Sequence, residues 1–252
     1  MKVAVAGGTG LLGRLVVGAL TERGDESRVL ARARGIDLTA DTGLDDALAG
    51  CQAVVDVTNI TTTRAATAVR FFDTVTRNLL AGAQRAGVGH VLTVSIVGVD
   101  TVDLGYYLGK RRQEELLAAG PVPWTLLRAT QFHEFAAQVV VRGGLGPVVA
   151  VPTMLSRPVA AAEVAAHVVD LLHRGPQGVA LPIAGPERLT MADMVRRYLE
   201  AIGQRRVLVP LPIPGKAGEP MAGGALIPDE PYEHGVATFQ DYLSGLATRS
   251  AR

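Results

Sequence analysis

The chain has 252 residues, of which 48% are hydrophobic, and this is enough to bury a large core as one domain or as one domain with a small appendage. Its formal net charge is +1 and its charged residues are scattered rather than gathered in a basic stripe, so we expect neither nucleic acid nor an acidic membrane surface as a partner. Charges, Gly or Pro interrupt the apolar runs well short of the roughly 20 residues that a membrane helix needs, so we expect no membrane span.

The first residues run from an apolar strand through spaced glycines into an apolar-periodic helix. Gly7 allows a tight turn out of the strand, Gly10 lets backbone amides approach a pyrophosphate, and Gly13 lets the helix pack closely on the strand. The helix N-terminus adds free N–H groups and the positive end of a dipole. The pattern G-x-x-G-x-x-G departs from the G-x-G-x-x-G fingerprint, but its place between strand and helix predicts a dinucleotide site. The predicted cofactor contacts in this turn are Gly7, Thr9, Gly10, Leu11, Leu12 and Gly13.

Residues 1–130 alternate strand-like and helix-like segments, which is typical of a parallel sheet with crossover helices. The short stretch 35–38 is predicted to be a very short strand or only a bend. We therefore predict an α/β fold with a Rossmann-type, doubly wound parallel sheet. The predicted strands are residues 3–6, 28–31, 53–57, 90–96 and 124–128, and the predicted helices are residues 11–23, 44–49, 64–86 and 105–119.

Near residue 143 long helices give way to short segments punctuated by proline. Two helices are still expected, at 160–173 and 191–202, the second with Thr190 as N-cap and Asp193 three residues later. We predict a cofactor-binding domain over residues 1–142 and a smaller substrate-binding lobe over residues 143–252, with the helix 160–173 packing back on the first domain. Such a lobe would cover the carboxyl ends of the strands, where open α/β sheets bind ligands.

The segment after the second strand indicates which dinucleotide is bound. An NAD site usually carries an acidic residue about twenty positions after the glycines, but here the chain reads Ala-Arg-Ala-Arg. Arg32 and Arg34 could hold a 2′-phosphate, which predicts NADP(H) as the cofactor. Only one of the two needs to point inward, and the alternative is an ordinary solvated arginine pair.

Lysine is scarce in this chain, since only three of the 25 Lys and Arg residues are lysines. A lysine that falls within a motif is therefore informative. Lys110 lies four residues after Tyr106 on a predicted helix, which puts both side chains on one face. A nearby ammonium lowers the pKa of a phenol, so this pair could protonate an alkoxide as hydride arrives. Ser95 lies near the end of the fourth strand, where its hydroxyl could orient a substrate carbonyl, although a single serine there is equally compatible with an ordinary strand.

The segments that carry this chemistry also resemble a known family. The chain is similar to atypical short-chain dehydrogenases/reductases of the NmrA-like, NAD(P)-binding group in residues 7–13, 95–98, 106–110 and 124–132, and the likeness spans the chain. The resemblance implies that Tyr106 is the acid/base, that Lys110 lowers its pKa and binds the nicotinamide ribose, and that Ser95 holds the substrate oxygen.

The same resemblance implies further contacts. Thr58 and Asn59 would line the cofactor, and Gln131, Phe132 and His133 would approach the nicotinamide and the substrate. Tyr107 competes with Tyr106 for the catalytic role, but its spacing to Lys110 is three, so we expect it to face the substrate or the core. His133 could relay a proton or be a buried structural histidine.

Other residues limit the choice of cofactor and compartment. The histidines show no metal-ligand spacing and there is no cysteine cluster, so no metal is predicted. The single Cys51 cannot form an internal disulfide, and the chain opens on a strand of buried type, which favours the cytoplasm.

We therefore predict an NADPH-dependent oxidoreductase that transfers hydride to a carbonyl or conjugated small molecule, as a monomer or homodimer. A non-enzymatic NADP-binding redox sensor is the alternative, although some sensors of this group lack the tyrosine that this chain keeps. A nucleotide-sugar epimerase or dehydratase ranks lower, because the C-terminal part has no evident cluster for a sugar diphosphate. Apolar residues of the lobe indicate a hydrophobic ligand or simply the core of the lobe; they are Met154, Leu155, Met221 and Leu226.

Overall fold

The computed structural model describes the backbone of residues 1–250 and the side chains of residues 1–246. Its first part alternates strands and helices as the apolar pattern predicts. These elements are β1 (Lys2–Ala6), α1 (Leu11–Glu22), β2 (Glu26–Leu30), α2 (Leu44–Leu48), β3 (Ala53–Asp56), α3 (Ala65–Arg85), β4 (His90–Ile96), α4 (Gly105–Ala118) and β5 (Trp124–Ala129).

The second part consists of shorter elements. They are α5 (Phe135–Gly143), β6 (Gly144–Leu145), β7 (Val148–Pro152), β8 (Leu155–Ser156), α6 (Ala161–Arg174), β9 (Gly178–Val179), β10 (Ile183–Ala184), β11 (Leu189–Thr190), α7 (Met191–Ala201), β12 (Val207–Leu211), α8 (Gly218–Gly223), β13 (Glu233–His234) and α9 (Phe239–Ser250). Two 3-10 turns, Arg32–Arg34 and Gly215–Ala217, complete the regular structure of the described residues.

The central sheet is parallel and has the order β13-β10-β5-β4-β3-β1-β2, with β9 pairing to β5. The chain leaves β1 toward β2 on one side and returns to β3 on the other. This reversal is the topological switch point of a doubly wound sheet, where ligands bind outside the carboxyl ends of the strands. The predicted α/β class and doubly wound parallel sheet are confirmed.

Apolar side chains cover both faces of this sheet. On one face, α1 and α6 pack on the sheet and join a core that contains Val5, Leu92 and Val168. On the other face, α2, α3 and α4 enclose a second core that contains Leu44 and Leu79. The sheet therefore has a rigid helical layer on each side, and only its strand ends are free to form a site.

A third core lies beyond α5 and holds the smaller part of the molecule together. There α5 and α7 pack on a small sheet of order β12-β7-β6 and α9 packs on α7, around residues such as Met194 and Phe239. The stretch after residue 143 does more than build this body, because β9, β10, β13 and α6 belong to the main sheet and its helical layer. The domain division at residues 142 and 143 stays a prediction.

Local sequence signals explain the element ends. The Thr190 hydroxyl caps α7 by accepting a hydrogen bond from the Asp193 N–H at 3.1 Å, as predicted. The stretch 35–38 forms no strand of the central sheet; Asp37 makes an isolated antiparallel bridge with Thr42, and its carboxylate accepts the Thr39 N–H at 2.9 Å. Among the described helices, none is long and apolar enough to cross a membrane.

Candidate active site

A pocket of about 490 Å³ opens at the carboxyl ends of the central strands. One wall is the glycine-rich turn after β1, and the loop that follows β3 forms a second wall. The ends of β4 and β5, the first turns of α4 and one face of α5 complete it. This is the place that the topology of the sheet selects for a ligand.

The glycine-rich turn fits a dinucleotide pyrophosphate. Gly7 has a φ of +79°, and a Cβ there would lie 2.6 Å from the Val57 carbonyl oxygen, so no other residue suits this turn. A Cβ at Gly13 would collide with the carbonyl oxygen of Gly7, which shows how closely α1 packs on β1. No side chain caps α1, and Gly10, Leu11 and their neighbours line the pocket, so the first N–H groups of the helix face the place where an anion would bind.

The loop after β3 is fixed by a buried carboxylate that the sequence analysis did not single out. Asp56 is 1% exposed, and its Oδ1 accepts hydrogen bonds from the Thr58 N–H at 2.9 Å and from the Thr58 hydroxyl at 2.7 Å. These bonds hold Thr58 and Asn59 in the pocket wall. The sequence signal that could have identified Asp56 is an acidic residue at the end of an apolar strand.

Ser95 lies near the end of the fourth strand, at the position that the sequence predicts. It is 3% exposed and lines the pocket. Its Oγ is buried and has no hydrogen-bond partner within the described residues. A buried hydroxyl without a partner costs free energy, so this group is suited to bind a polar atom of a ligand.

Tyr106 stands in the first turn of α4, and its ring packs edge-on against Phe72, with 5.9 Å between the ring centroids. Its hydroxyl donates a hydrogen bond to Asn59 Oδ1 at 2.7 Å. A Cβ at Gly105, the residue before it, would collide with the carbonyl oxygen of Thr63, so the helix start lies directly against the loop after β3. This close approach places the phenol in the pocket wall.

Lys110 lies one turn further along α4 and is 3% exposed. Its ammonium donates a hydrogen bond to the Val94 carbonyl at 2.7 Å and another to Gln113 Oε1, and it lies 5.0 Å from the centroid of the Phe72 ring. The Gln113 amide in turn donates to Asp56 Oδ2 at 2.8 Å. Asp56, Gln113 and Lys110 therefore form one buried polar chain beneath the pocket.

The expected coupling between Lys110 and Tyr106 is not what the structure shows. Burial raises the pKa of Tyr106, and the neighbouring Tyr107 raises it further, with no lowering contribution from Lys110. The prediction of a lowered Tyr106 pKa is therefore wrong, because the ammonium is bonded to Val94 and Gln113 instead. Burial lowers the pKa of Lys110 itself to about 8, while the charges of Asp56 and Glu114 oppose that shift.

The predicted substrate residues divide into two groups. Tyr107, Gln131 and Phe132 line the pocket, and the Gln131 amide donates to the Tyr107 hydroxyl at 3.3 Å. Burial raises the pKa of Tyr107 to about 12. His133 does not join them: it is 1% exposed, its ring lies against Phe239, and it is not part of the pocket lining. The expectation that His133 faces the substrate is wrong, because its ring packs into the apolar core beneath α9.

Arg32 and Arg34 form the exposed 3-10 turn directly after β2, outside the pocket lining. Neither guanidinium has a carboxylate within 4.0 Å among the described side chains. They stand beside β1, whose end carries the glycine-rich turn, on the side of the sheet where the adenosine end of a dinucleotide lies in a Rossmann fold.

Several lining residues were not predicted. Gln113, which lies behind the lining in the buried polar chain, could have been found by its i, i+3 spacing from Lys110, but its contact with Asp56 spans 57 positions of sequence. Gln138 and Arg142 line the pocket from α5, one helical turn apart, and no local pattern marks them. Among the residues whose side chains are described, no group of three His, Cys, Asp or Glu could hold a metal ion.

The parallel sheet, the glycine-rich turn and the pocket at the switch point define a Rossmann-type dinucleotide-binding protein. Residues 7–175 match the family of NAD(P)H-binding domains, which is more than half of the chain. The chain belongs to this family of NAD(P)H-binding proteins, as its glycine-rich turn indicated.

Individual proteins similar to this chain include enzymes. The (4-alkanoyl-5-oxo-2,5-dihydrofuran-3-yl)methyl phosphate reductase of Streptomyces griseus subsp. griseus is 29% identical over 226 residues, covering 80% of this chain and 74% of the relative. A short-chain dehydrogenase/reductase superfamily protein from Agrobacterium tumefaciens with bound NAD has a TM-score of 0.71 at 18% identity, over 100% of this chain and 97% of that one. An NADPH-dependent quinone oxidoreductase from Escherichia coli, complexed with NADPH, has a TM-score of 0.73 at 19% identity, over 97% of this chain and 99% of that one.

Proposed function

We propose that this protein is an NADPH-dependent reductase that reduces a carbonyl or a conjugated carbonyl compound, with Tyr106 as the proton donor. The observation that carries the proposal is that one pocket contains the glycine-rich turn, the unpartnered Ser95 hydroxyl, the Tyr106 hydroxyl and Lys110. A dinucleotide-binding module alone does not require the last three groups together.

The pocket gives each of these groups a role. A bound nicotinamide dinucleotide supplies the hydride. Ser95 donates its hydrogen bond to the substrate oxygen and polarises the carbonyl. Tyr106 gives its proton to the reduced substrate; burial raises its pKa, so the hydroxyl is protonated at neutral pH. Lys110 holds a positive charge beneath the pocket, where its ammonium can move from Gln113 to a cofactor hydroxyl.

The proposed substrate class rests on the side chains that line the pocket and on the substrate of the Streptomyces griseus relative. Apolar side chains dominate the part of the pocket away from the glycine-rich turn; they are Phe132, Phe135, Met154 and Met221. The substrate in the name of the Streptomyces griseus reductase carries a ring carbonyl and an alkanoyl group on an unsaturated ring carbon. We propose a conjugated carbonyl compound with an apolar part for this chain as well. Its preference for NADPH would come from Arg32 and Arg34, and the expected cytoplasmic location and monomeric or dimeric state remain predictions.

The test is NADPH oxidation by purified protein with aldehydes, ketones, quinones, enones and (4-alkanoyl-5-oxo-2,5-dihydrofuran-3-yl)methyl phosphate. We expect turnover with at least one conjugated carbonyl compound, and a large loss of turnover in Ser95→Ala. The matched control is Thr93→Ala, because Thr93 is a buried strand residue with an unpartnered hydroxyl that does not line the pocket. No oxidation with any compound, while NADPH binds, would count against the proposal.

A redox sensor is the second candidate, and one observation favours it. The Tyr106 hydroxyl is bonded to Asn59 and the Lys110 ammonium to Val94 and Gln113, so the two groups are not bonded to each other. A sensor would show no turnover and would capture a protein partner with an affinity that changes on adding NADP.

A further inference from the structure

The charges that line the pocket have one sign. Its charged side chains are Lys110 and Arg142, and within the described residues no acidic side chain belongs to the lining. Asp56 lies behind the wall, where Thr58 and Gln113 already donate hydrogen bonds to both of its oxygens. A pocket that carries two cationic groups and no anionic one favours a negatively charged ligand.

The glycine-rich turn and Lys110 account for the cofactor, but Arg142 stands elsewhere. It occupies the last turn of α5, which follows β5, whereas the glycine-rich turn follows β1. From α5 the Arg142 side chain reaches the loop after β3, where it meets Thr61. Arg142 shares α5 with Phe135, which lies in the apolar part of the pocket that we assign to the substrate.

The guanidinium of Arg142 has most of its hydrogen-bonding capacity free. One nitrogen, Nη2, donates a long hydrogen bond to the Thr61 hydroxyl at 3.4 Å. No carboxylate lies within 4.0 Å of it among the described side chains, in contrast to Arg112 and Arg128, which are both ion-paired. An arginine has five N–H donors in a planar fork that matches a phosphate or carboxylate.

Two neutral donors surround this cation. Gln138 lies one helical turn before Arg142 on the same face of α5, and both line the pocket. Thr61 approaches from the loop after β3. A hydroxyl, an amide and a guanidinium at one rim of an apolar pocket provide the donor set that binds a tetrahedral oxyanion.

We propose that Arg142, assisted by Gln138 and Thr61, forms a subsite for a phosphate monoester group on the substrate. The inference rests on the proposed reductase function for its biological meaning, because it assigns the charged end of the molecule whose carbonyl lies at Ser95 and Tyr106. The subsite orients the substrate, so that the apolar part lies along Phe135 and Met154 and the anionic group lies at the mouth.

The test compares a phosphate ester with its alcohol. The pair is (4-alkanoyl-5-oxo-2,5-dihydrofuran-3-yl)methyl phosphate and the same compound without phosphate, assayed with wild type, Arg142→Gln and Arg142→Lys. We expect Arg142→Gln to raise KM for the ester at least tenfold, since charge-assisted hydrogen bonds are lost, and to change KM for the alcohol much less than KM for the ester. Arg142→Lys should fall between the two. Arg70→Gln, which removes an exposed arginine outside the pocket, is the matched control and should behave like the wild type.

A binding measurement separates this inference from the reductase proposal. Calorimetry of the NADPH-loaded protein with phenyl phosphate and with phenol needs no turnover. Preferential binding of phenyl phosphate that Arg142→Gln abolishes supports the subsite, even if no compound is reduced. Equal effects of Arg142→Gln and Arg70→Gln would overturn it. A fall of NADPH affinity in Arg142→Gln would also overturn it, because the guanidinium would then belong to the cofactor site.

Discussion

The Tyr106 hydroxyl donates a hydrogen bond to Asn59 Oδ1 at 2.7 Å, and this bond joins the start of α4 to the loop after β3. The two residues lie 47 positions apart in sequence, so the bond connects two separate walls of the pocket. The bond holds the phenol in the pocket wall, where we propose that Tyr106 donates its proton. Asn59 is therefore expected to hold the proton donor in position.

The first prediction concerns this bond. Asn59→Ala and Tyr106→Phe should each lower the free energy of unfolding by about 0.5–1.5 kcal/mol, the usual net contribution of one hydrogen bond. The double variant should be less destabilised than the sum, since both changes remove the same bond. Chemical denaturation of the four proteins measures this coupling. Tyr198→Phe combined with Asn59→Ala is the control pair and should be additive; additive losses for Tyr106 as well would mean that the bond does not form in solution.

Gly13 and Gly18 allow a matched test of the glycine-rich turn, because both lie in α1. A Cβ at Gly13 would collide with the Gly7 carbonyl oxygen, whereas a Cβ at Gly18 meets nothing within 4 Å. Gly13→Ala should therefore destabilise the protein and abolish NADPH binding. Gly18→Ala should raise the free energy of unfolding by up to about 1 kcal/mol, because alanine is the better helix former. Thermal unfolding and NADPH titration measure both variants, and equal behaviour of the two would contradict the packing described here.

The arginines after β2 give a prediction on cofactor choice. If either Arg32 or Arg34 binds the 2′-phosphate, NADPH should bind at least tenfold more tightly than NADH, because one charge-assisted hydrogen bond contributes about 1.5–3 kcal/mol. Fluorescence titration of the wild type and of Arg32→Ala/Arg34→Ala measures the preference. The double variant should lose it while its NADH affinity stays the same. A preference that survives the double substitution would place the selecting group elsewhere.

Much of the cofactor site could be predicted from the sequence because its determinants are local. The spacing of Gly7, Gly10 and Gly13 within one strand–turn–helix unit is sufficient to place the turn, and the apolar period places the five main strands to within two residues. The Tyr106 to Lys110 spacing brings both residues to the pocket for the same reason.

The remaining features depend on contacts between distant parts of the chain. The hydrogen bonds that Lys110 donates to Gln113 and that Gln113 donates to Asp56 decide where the ammonium points, and the second of them joins residues 57 positions apart, which no spacing rule relates. The ring of His133 lies against Phe239, more than a hundred positions later, which a motif next to β5 could not reveal. Two-residue strands such as β10 carry no periodic signal at all, so their pairing with the main sheet was not predicted, although the packing of the helix 160–173 on the first domain was.

Lys110 provides a prediction on pH. Burial lowers its pKa in the folded protein to about 8, from an ordinary value of 10.5. Between these two values the unfolded chain binds more protons than the folded one, so the free energy of unfolding should rise with pH in that window. Lys110→Met should lack this contribution. Chemical denaturation across the window compares the two proteins, with Lys216→Met at an exposed site as control; a wild-type advantage over Lys110→Met that shrinks as pH rises would contradict the burial of a charged ammonium.

The most direct test of the proposed proton-donor role of Tyr106 is the effect of Tyr106→Phe on turnover and on NADPH binding, measured on the same preparations. The substitution keeps the ring against Phe72 and removes only the hydroxyl. With a substrate that the wild type reduces, we expect kcat to fall by roughly 10²–10⁴, since a positioned general acid contributes about that much, while the Kd for NADPH stays within a few-fold of the wild type. Full turnover in Tyr106→Phe would contradict the assignment of Tyr106 as the proton donor.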